Sequence, residues 1–434
     1  MNIIIVEASK YIITILMAIY TLLCFNVFTH SKEHDRRGIY FRQNICMILL
    51  YFIAFFVLYI ENRDIEYILF YGVSQVALLT VIILYRIIYP SSNRLILNNM
   101  CMLLTIGFII LSRLSFSKSR KQLVVALVAI IFTLIIPLVL KTFKRLRRFY
   151  PILAVAGILA LMAVLVFSKV INGSKLNLRI MGVTFQPSEF VKIIYVFAIA
   201  GIITHSKEFK DILKSAIVAG VHVLLLVLSK DLGSAVIFFV VYIIMLYIAT
   251  HNIGYFSLGL AFMMVGCLLG YVMFSHVRVR VLAWKDPIGT IDNEGYQIAQ
   301  SLFAIGTGGF FGMGLNNGSP SKIPVVEADF IFSAIAEEFG LLFAICLILI
   351  CVSCFIMFMN IAMRFKDMFY KLVAVGLATT YGFQVFLTIG GVTKFIPLTG
   401  VTLPLVSYGG NSVMVTMIMF AVIQGLYISV KDEE

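Results

Sequence analysis

Charged residues are scarce in this sequence. Of its 434 residues only 13% are charged, 61% are hydrophobic, and the mean hydropathy is +1.03. An average soluble protein carries about twice that share of charge, so the composition excludes a soluble domain of this length. Only one polar stretch is long, residues 276–328. Apolar runs recur along the rest of the chain, which predicts an all-α polytopic membrane protein.

Signatures of disulfide, zinc and nucleotide sites are also missing. The seven cysteines all lie in apolar segments, and we interpret the Cys351/Cys354 pair as helix packing rather than a redox pair. The six histidines are scattered, without zinc spacing. The glycine-rich run 304–315 has no Walker lysine, so it does not predict a P-loop. The apolar run 11–28 lacks a small-residue cleavage site after it, so we expect it to remain as a span.

Basic residues outnumber acidic ones, giving a formal charge of +13. In a membrane protein this excess sets topology and contacts anionic headgroups, so it does not indicate nucleic-acid binding. The densest basic cluster, residues 141–148, is predicted to be cytoplasmic. Counting from it places three further basic loops and the C-terminus on the same side, and the loop 275–328 outside. The three loops are 31–42, 205–214 and 364–371.

Hydropathy predicts about thirteen spans. Three form an N-terminal extension (residues 1–95), and ten form a core (residues 96–430). The longest run, 329–359, is expected to tilt or to extend past the bilayer. The predicted spans are 8–29, 44–61, 67–90, 98–112, 121–140, 149–170, 188–204, 211–228, 232–249, 254–274, 329–359, 369–391 and 405–429.

Several cations fall on the outer side, against the usual bias. Two interpretations stay open: an anionic substrate holds them there, or short loops simply violate a statistical rule. The outer cations are Arg113, Lys118, Arg120, Lys121, Arg278, Arg280, Lys285, Lys322 and Lys394.

Ionisable groups near the membrane are costly unless they pair or have a function. Glu189 and Lys192 share a helix face at i and i+3. Asp231 opens a span, Lys394 precedes the last one, and Asp329 stands where the long outer loop re-enters an apolar helix. All are predicted near the outer surface, which indicates an extracytoplasmic polar site. Paired charges that hold helices in register are the alternative, and we favour that reading for Glu337 and Glu338.

Glycines and prolines interrupt the apolar pattern at membrane depth in residues 395–412. Irregular backbone is tolerated there only if it is buried or lines a cavity. Exposed amides in such a segment, and in the glycine-rich run 304–315, can receive phosphate oxygens. We expect the glycines around 305–314 to let the outer loop close.

Four blocks resemble the SEDS proteins, the FtsW/RodA/SpoVE group of cell-wall polymerases. They are Phe185–Lys192, Asp231–Ala235, Trp284–Pro287 followed by Gly295–Ser301 and the glycine-rich run, and Asp329–Gly340 with Pro404–Gly410. The resemblance covers roughly residues 95–430. It implies a peptidoglycan glycosyltransferase that polymerises lipid II during division, elongation or sporulation, beside a class B penicillin-binding protein. The family's essential aspartate then corresponds to Asp329, its DLG aspartate to Asp231 and its lysine to Lys192.

The sequence also departs from the family pattern. The usual acidic residue after Pro324 is Val325, and an acid appears instead at Glu327. Leu176 and Asn177 replace an Arg-Trp pair, and Lys394 stands where glycine is common. These departures concern fine substrate contacts rather than the class. The three leading helices are additional and are candidates for docking a partner.

For the chemistry, a sugar hydroxyl attacks the anomeric carbon of a donor with a diphosphate-lipid leaving group. We predict Asp329 as the general base that removes the hydroxyl proton. Cations would hold the diphosphate, and a Mg²⁺ or Mn²⁺ ion, with Asp231 as a candidate ligand, could share that role. A lipid II flippase and a non-catalytic scaffold are the alternatives. The predicted substrate-binding or supporting residues are Glu189, Lys192, Asp231, Arg278, Arg280, Lys394 and Ser407.

Overall fold

The computed structural model describes residues 2–30, 33–142, 146–168, 176–180, 183–205 and 209–433. These form an almost entirely helical bundle, as predicted. The helices are α1 (Asn2–Thr29), α2 (Glu33–Asn62), α3 (Ile65–Ile88), α4 (Arg94–Leu114), α5 (Phe116–Thr142), α6 (Tyr150–Phe167), α7 (Pro187–Ile203), α8 (Phe209–Leu228), α9 (Leu232–Thr250), α10 (Ile253–Met273), α11 (Ser275–Lys285), α12 (Tyr296–Gly308), α13 (Ile331–Arg364), α14 (Met368–Val392) and α15 (Gly410–Glu433).

Each of the thirteen predicted spans corresponds to one helix. Twelve helices in the described part of the chain are long and apolar enough to cross a membrane. The thirteenth, α7, has only 17 residues and is buried along nearly its whole length. The protein is therefore a multi-pass membrane protein. Several boundaries differ from the prediction: α1, α2 and α5 begin earlier, at Asn2, Glu33 and Phe116, and α13 ends later, at Arg364. Helix α15 begins only at Gly410, because residues 398–409 form an irregular segment.

Short elements between the spans were not predicted. The outer loop contains α11, α12 and a 3₁₀ turn, Pro320–Lys322. Strands β1 (Leu178–Ile180) and β2 (Val183–Phe185) pair antiparallel just before α7. Asn177, one of the family departures, accepts a hydrogen bond from Ser168 through its carbonyl (2.8 Å). These elements shape the rim of the bundle at the end where the candidate site lies.

The N-terminal extension packs directly on the core. Helix α1 contacts α13, and α2 contacts α4. A buried polar cluster joins them: Asn99 of α4 accepts from Tyr20 of α1 (3.1 Å) and donates to Ser353 of α13 (2.7 Å), while Asn98 donates to Gln43 of α2 (2.9 Å). The boundary between 1–95 and 96–430 stays a prediction.

The run 329–359 is not one continuous tilted helix. Gly340 interrupts α13 with φ 86° and ψ 173°, a conformation that is essentially restricted to glycine. The segment 309–314 supplies the missing backbone partners. Met313 and Gly314 donate to the carbonyls of Glu337 and Glu338 (both 2.9 Å), and Leu341 donates to the Gly309 carbonyl (2.8 Å).

This pairing changes the role we expected for the glycines. A Cβ on Gly312 would lie 2.2 Å from the Glu338 carbonyl oxygen, and one on Gly308 would lie 2.0 Å from that of Ala336. Both glycines are therefore needed for close packing against α13. The amides of Met313 and Gly314 are occupied by the interrupted helix, so they are not open to phosphate oxygens.

The C-terminal ends of α5, α13 and α15, all predicted to be cytoplasmic, lie at the end of the bundle opposite to the candidate site. Lys141 at the end of α5 pairs with Asp432 at the end of α15 (2.7 Å). Arg364 at the end of α13 lies over the Tyr427 ring, 5.9 Å from its centroid. These contacts agree with the topology count. Parts of the basic clusters used in that count, residues 31–32, 143–145 and 206–208, lie outside the described residues.

Candidate active site

The segment before α13 holds Asp329 at the rim of the bundle. The amides of Ala328 and Asp329 both donate to the Val325 carbonyl (3.1 and 3.3 Å). Val325 has φ 56°, which is rare for a β-branched residue and indicates local strain. Val325, which differs from the family pattern, therefore lies in the turn that positions Asp329.

The irregular segment 403–409 clamps this turn. Ser407 is buried, and its hydroxyl donates to the Ala328 carbonyl and accepts from the Leu403 amide (3.0 Å). The Tyr408 amide donates to the Glu327 carbonyl (2.7 Å). Ser407 thus supports the chain next to Asp329, and both of these contacts are made within the protein.

The Asp329 side chain makes no hydrogen bond or ion pair within 4.0 Å to any described residue. Its nearest cation is Arg280 of α11. A Cβ built on Gly400 would lie 3.7 Å from Asp329 Oδ2 and 3.5 Å from Arg280 Nη2, so both groups face the same point. Burial raises the pKa of Asp329, and the Arg280 charge counteracts that shift. The carboxylate is free to accept a proton.

Side chains on one face of helix α11 hydrogen-bond to the loop between α14 and α15. Arg280 donates to the Thr399 carbonyl (3.0 Å), and Trp284, four residues later, donates to the Lys394 carbonyl (3.1 Å). Lys394 therefore contributes its backbone to this link. Arg278 is exposed, and no contact in the structure brings it toward Asp329.

Asp231 lies at the start of α9, near the same point. Its carboxylate caps the helix by accepting from the Ser234 amide (3.2 Å) and also accepts from the Ser188 hydroxyl (3.0 Å). Burial raises the pKa of Asp231, while the bonds from Ser234 and Ser188 and the charge of Lys192 lower it. Both oxygens thus have protein partners, and Asp231 is positioned to hold the helix end.

Lys230 is a cation that the sequence analysis missed. It ends the α8–α9 turn with φ 61°. Burial lowers the pKa of His276, and the charges of Arg280 and Lys230 lower it further, so both cations act on the same imidazole. Burial lowers the pKa of Arg280, and the carboxylates of Asp329 and Asp231 partly counteract that shift. The only sequence signal for Lys230 is its adjacency to Asp231.

Glu189 and Lys192 form a buried pair, as their spacing predicted. Lys192 Nζ lies 2.6 Å from Glu189 Oε1, and the side chains are 1% and 9% exposed. Lys192 also donates to Gln384 (3.0 Å), whose amide donates to the Thr402 carbonyl (3.0 Å). The pair therefore ties α7 to α14 and to the irregular segment, and Glu189 already neutralises the lysine.

Glu337 and Glu338 lie apart from this point. Glu338 is fully buried and pairs with Arg113 (2.9 Å), which agrees with the interpretation that a paired charge here holds helices in register. Glu337 instead accepts from the Ser319 amide (2.8 Å) and has no ion pair among the described residues. Lys118 pairs with Glu327, and Arg120 pairs with Glu66 (3.2 Å). Three of the outer cations thus have protein carboxylates as partners, which accounts for them without an anionic substrate.

A resident metal site does not fit the donor set. Among the described residues there is no group of three or more His, Cys, Asp or Glu side chains that could hold a metal ion. Asp231 uses both oxygens in hydrogen bonds. Mg²⁺ is often held by one carboxylate together with substrate phosphates, and Asp329 alone could serve in that way.

Comparison with known proteins finds a family model and several relatives that match this chain. Residues 93–432 match the model of the FtsW/RodA/SpoVE family, described as "Cell cycle protein". Peptidoglycan glycosyltransferase RodA of Mycobacterium tuberculosis (strain H37Rv) is 31% identical over 363 residues, covering 77% of each chain. Stage V sporulation protein E of Bacillus subtilis is 30% identical over 263 residues, covering 58% of this chain and 70% of that one.

Two solved structures share the fold. One, described as "Structural coordination of polymerization and crosslinking by a peptidoglycan synthase complex", matches with a TM-score of 0.65 at 23% identity, covering 79% of this chain and 98% of that one. Thermus thermophilus RodA matches with a TM-score of 0.56 at 23% identity, covering 78% and 97%. The N-terminal extension lies outside the family match.

Proposed function

This chain belongs to the FtsW/RodA/SpoVE family, and we propose that it is a peptidoglycan glycosyltransferase that polymerises lipid II into glycan strands. The observation that carries the proposal is the Asp329 carboxylate at the bundle rim, which has no hydrogen-bond or ion-pair partner in the described part of the chain and faces the same point as Arg280. The names of its relatives support the activity. The alignment with the Mycobacterium tuberculosis protein covers 77% of both chains, so the similarity extends over most of that relative.

Asp329 is the general base. The acceptor sugar's hydroxyl oxygen bonds to the anomeric carbon of the donor as its proton passes to Asp329. The bond from that carbon to the diphosphate oxygen breaks, and the diphosphate leaves with the electron pair, so the carbon inverts. A raised pKa brings the base closer to the operating pH, which favours proton transfer.

Arg280 and Lys230 hold the departing diphosphate. Diphosphate is already a good leaving group and requires charge neutralisation more than protonation. A guanidinium can contact phosphate oxygens bidentately, and a lysine adds a point charge. Lys192 Nζ is already paired with Glu189 and donates to Gln384, so we assign it to positioning. Lys394 gives its backbone carbonyl to Trp284, which leaves its Nζ as a further candidate to contact the diphosphate. Asp231 positions the turn that carries Lys230.

The site faces the outer side of the cytoplasmic membrane, and the C-terminus is cytoplasmic. This orientation rests on the basic loops and on the gathering of Lys141, Arg364 and Asp432 at the opposite end. A class B penicillin-binding protein is the proposed partner, in keeping with the structural neighbour described as a peptidoglycan synthase complex.

The test is polymerisation of labelled lipid II by the purified protein in liposomes, with and without Mg²⁺ or Mn²⁺. Wild type is compared with Asp329→Asn, which keeps the side-chain shape but removes the base. We expect a loss of about 10² to 10⁴-fold in rate. Asp292→Asn, an exposed aspartate in the same loop, is the matched control and should polymerise normally.

Two results would count against the proposal. Full activity of Asp329→Asn would remove Asp329 as the base. An inactive wild type, tested again with a matching penicillin-binding protein, would favour a flippase or a scaffold. Transfer of labelled lipid II across the liposome bilayer would then separate those two.

A further inference from the structure

The first two turns of α5 contact the segments that hold Asp329. Gln122 is buried, and its side-chain amide makes two hydrogen bonds to backbone groups. It donates to the Ser407 carbonyl and accepts from the Gly409 amide (both 3.1 Å). The Ser407 hydroxyl in turn donates to the Ala328 carbonyl, next to Asp329. Gln122 therefore holds the irregular segment that clamps the Asp329 turn.

Lys118 adds a second support from the same face of α5. It precedes Gln122 by four residues, so the two side chains lie one helical turn apart on one side of the helix. The Lys118 ammonium pairs with the Glu327 carboxylate and lies 5.6 Å from the centroid of the Tyr408 ring. Both partners belong to the segments that hold Asp329. Glu327 is the acid that departs from the family pattern, and Lys118 is the residue that pairs with it.

The N-terminal extension contacts the opposite face of this part of α5. Phe116 lies two residues before Lys118, which places it about 200° away around the helix. Its ring packs against the rings of Tyr67 and Phe70 in α3, with centroid distances of 4.6 and 5.6 Å. The start of α5 thus lies between the extension on one side and the Asp329 turn on the other.

This aromatic contact is the stronger link between α3 and α5. Arg120 also pairs with Glu66 (3.2 Å), but the two side chains are 57% and 50% exposed, so this ion pair contributes little. Phe70 is buried, and it anchors the Phe116 ring in the core of the bundle. Tyr67 is half-buried, so a substitution there removes a ring contact without opening the core.

We propose that the N-terminal extension is a positioning element for Asp329, an inference that rests on the proposed polymerase function. Helix α3 holds the start of α5 through Tyr67, and Lys118 and Gln122 hold the segments around Asp329 from the other face. These three residues contact the protein rather than the substrate, so they are positioning residues. The effect on rate is large because a misplacement of about 1 Å can cost about a hundredfold.

The first test changes the extension and measures polymerisation of labelled lipid II by the full-length protein. Tyr67→Ala should lower kcat by about tenfold at a nearly unchanged KM, because a loosely held base slows the chemical step without removing a substrate contact. Tyr67→Phe keeps the ring and should behave as wild type. Leu69→Ala, at an exposed position of the same helix, is the matched control and should also behave as wild type.

The second test changes the other face of α5. Lys118→Met removes the cation that pairs with Glu327, so it should lower kcat in the same way as Tyr67→Ala. Lys118→Arg keeps a cation for Glu327 and for the Tyr408 ring, so it should restore most of the rate. A loss of rate in Lys118→Arg as large as in Lys118→Met would contradict the role of the ion pair.

Backbone hydrogen exchange reports on the Asp329 turn without turnover. The amides of Ala328 and Asp329 are hydrogen-bonded within the turn. In Tyr67→Ala the peptide that covers residues 325–330 should exchange about tenfold faster than in wild type, the effect of weakening one or two hydrogen bonds. Leu69→Ala should exchange as wild type does.

The two readouts separate the positioning from the polymerase. The positioning is refuted if the turn in Tyr67→Ala exchanges as in wild type, or if an active Tyr67→Ala keeps its kcat or changes only its KM. If the wild type makes no glycan, the polymerase proposal fails, and faster exchange in Tyr67→Ala would still support the positioning of Asp329 by the extension.

Discussion

The interruption of α13 at Gly340 leads to a quantitative prediction. In Gly340→Ala the new Cβ would lie 2.3 Å from the Gly312 nitrogen and 2.6 Å from the Phe310 carbonyl oxygen. Both are backbone atoms, so the loop must move. The backbone conformation itself costs an alanine about 1–3 kcal/mol.

Movement of the loop also breaks hydrogen bonds. Four join it to α13, donated by Met313, Gly314, Leu341 and Leu342. Losing two adds about 2 kcal/mol, so we expect a total destabilisation of about 3–5 kcal/mol. The assay is the apparent unfolding midpoint of the purified protein in detergent, which should fall by several degrees.

Gly306→Ala provides the matched control. Gly306 lies in α12, and nothing lies within 4 Å of the Cβ it would gain. Alanine is favoured over glycine in a helix by about 0.5–1 kcal/mol, so this variant should be slightly more stable than wild type. An unchanged midpoint for Gly340→Ala would refute the interpretation that the loop and the interrupted helix form one unit.

Two further predictions concern the charged groups. Lys192→Met leaves Glu189 buried and unpaired, at a cost of about 3–5 kcal/mol in folding stability. The double variant with Glu189→Leu should recover most of that stability. If Lys192→Met is as stable as wild type, the two residues do not form a buried ion pair. Arg280→Gln removes the charge that lowers the pKa of Asp329, so the acidic limb of the polymerisation pH profile should move to higher pH because the base stays protonated longer. The substitution Arg278→Gln, at an exposed position, should leave the acidic limb unchanged. If the limb does not move in Arg280→Gln, the charge of Arg280 does not act on the pKa of Asp329.

Hydropathy was sufficient to locate the spans, because a lipid-facing helix must be apolar over its length. Asp329 was selected because a carboxylate where a polar loop meets an apolar helix has few structural explanations, and its role stays a prediction. The break at Gly340 was not predicted. A lone glycine is tolerated inside a helix, and only the loop that replaces the lost hydrogen bonds shows that the helix stops there.

Contacts between residues that are far apart in the sequence were also not predicted. Arg113 and Glu338 are 225 residues apart, and nothing local in either segment indicates the other. The Trp284 bond to the Lys394 carbonyl is equally invisible, because a backbone acceptor leaves no residue signal. Ser407 and Lys394 were predicted as substrate-binding or supporting residues; the Ser407 hydroxyl and the Lys394 carbonyl make contacts that support the chain. The roles of the predicted site residues in catalysis stay predictions.

The polar cluster between the extension and the core has a consequence for biosynthesis. Helix α4 carries Asn98 and Asn99 into the membrane, where unpaired amides are unfavourable. Gln43 and Tyr20 precede α4 in the chain, so both are already synthesised when α4 enters the membrane and can hydrogen-bond to Asn98 and Asn99. Ser353 is synthesised 254 residues after Asn99. The leading helices therefore carry partners for the α4 amides that precede α13 in the chain. Removing them should expose the nascent protein to membrane quality control before its active site exists.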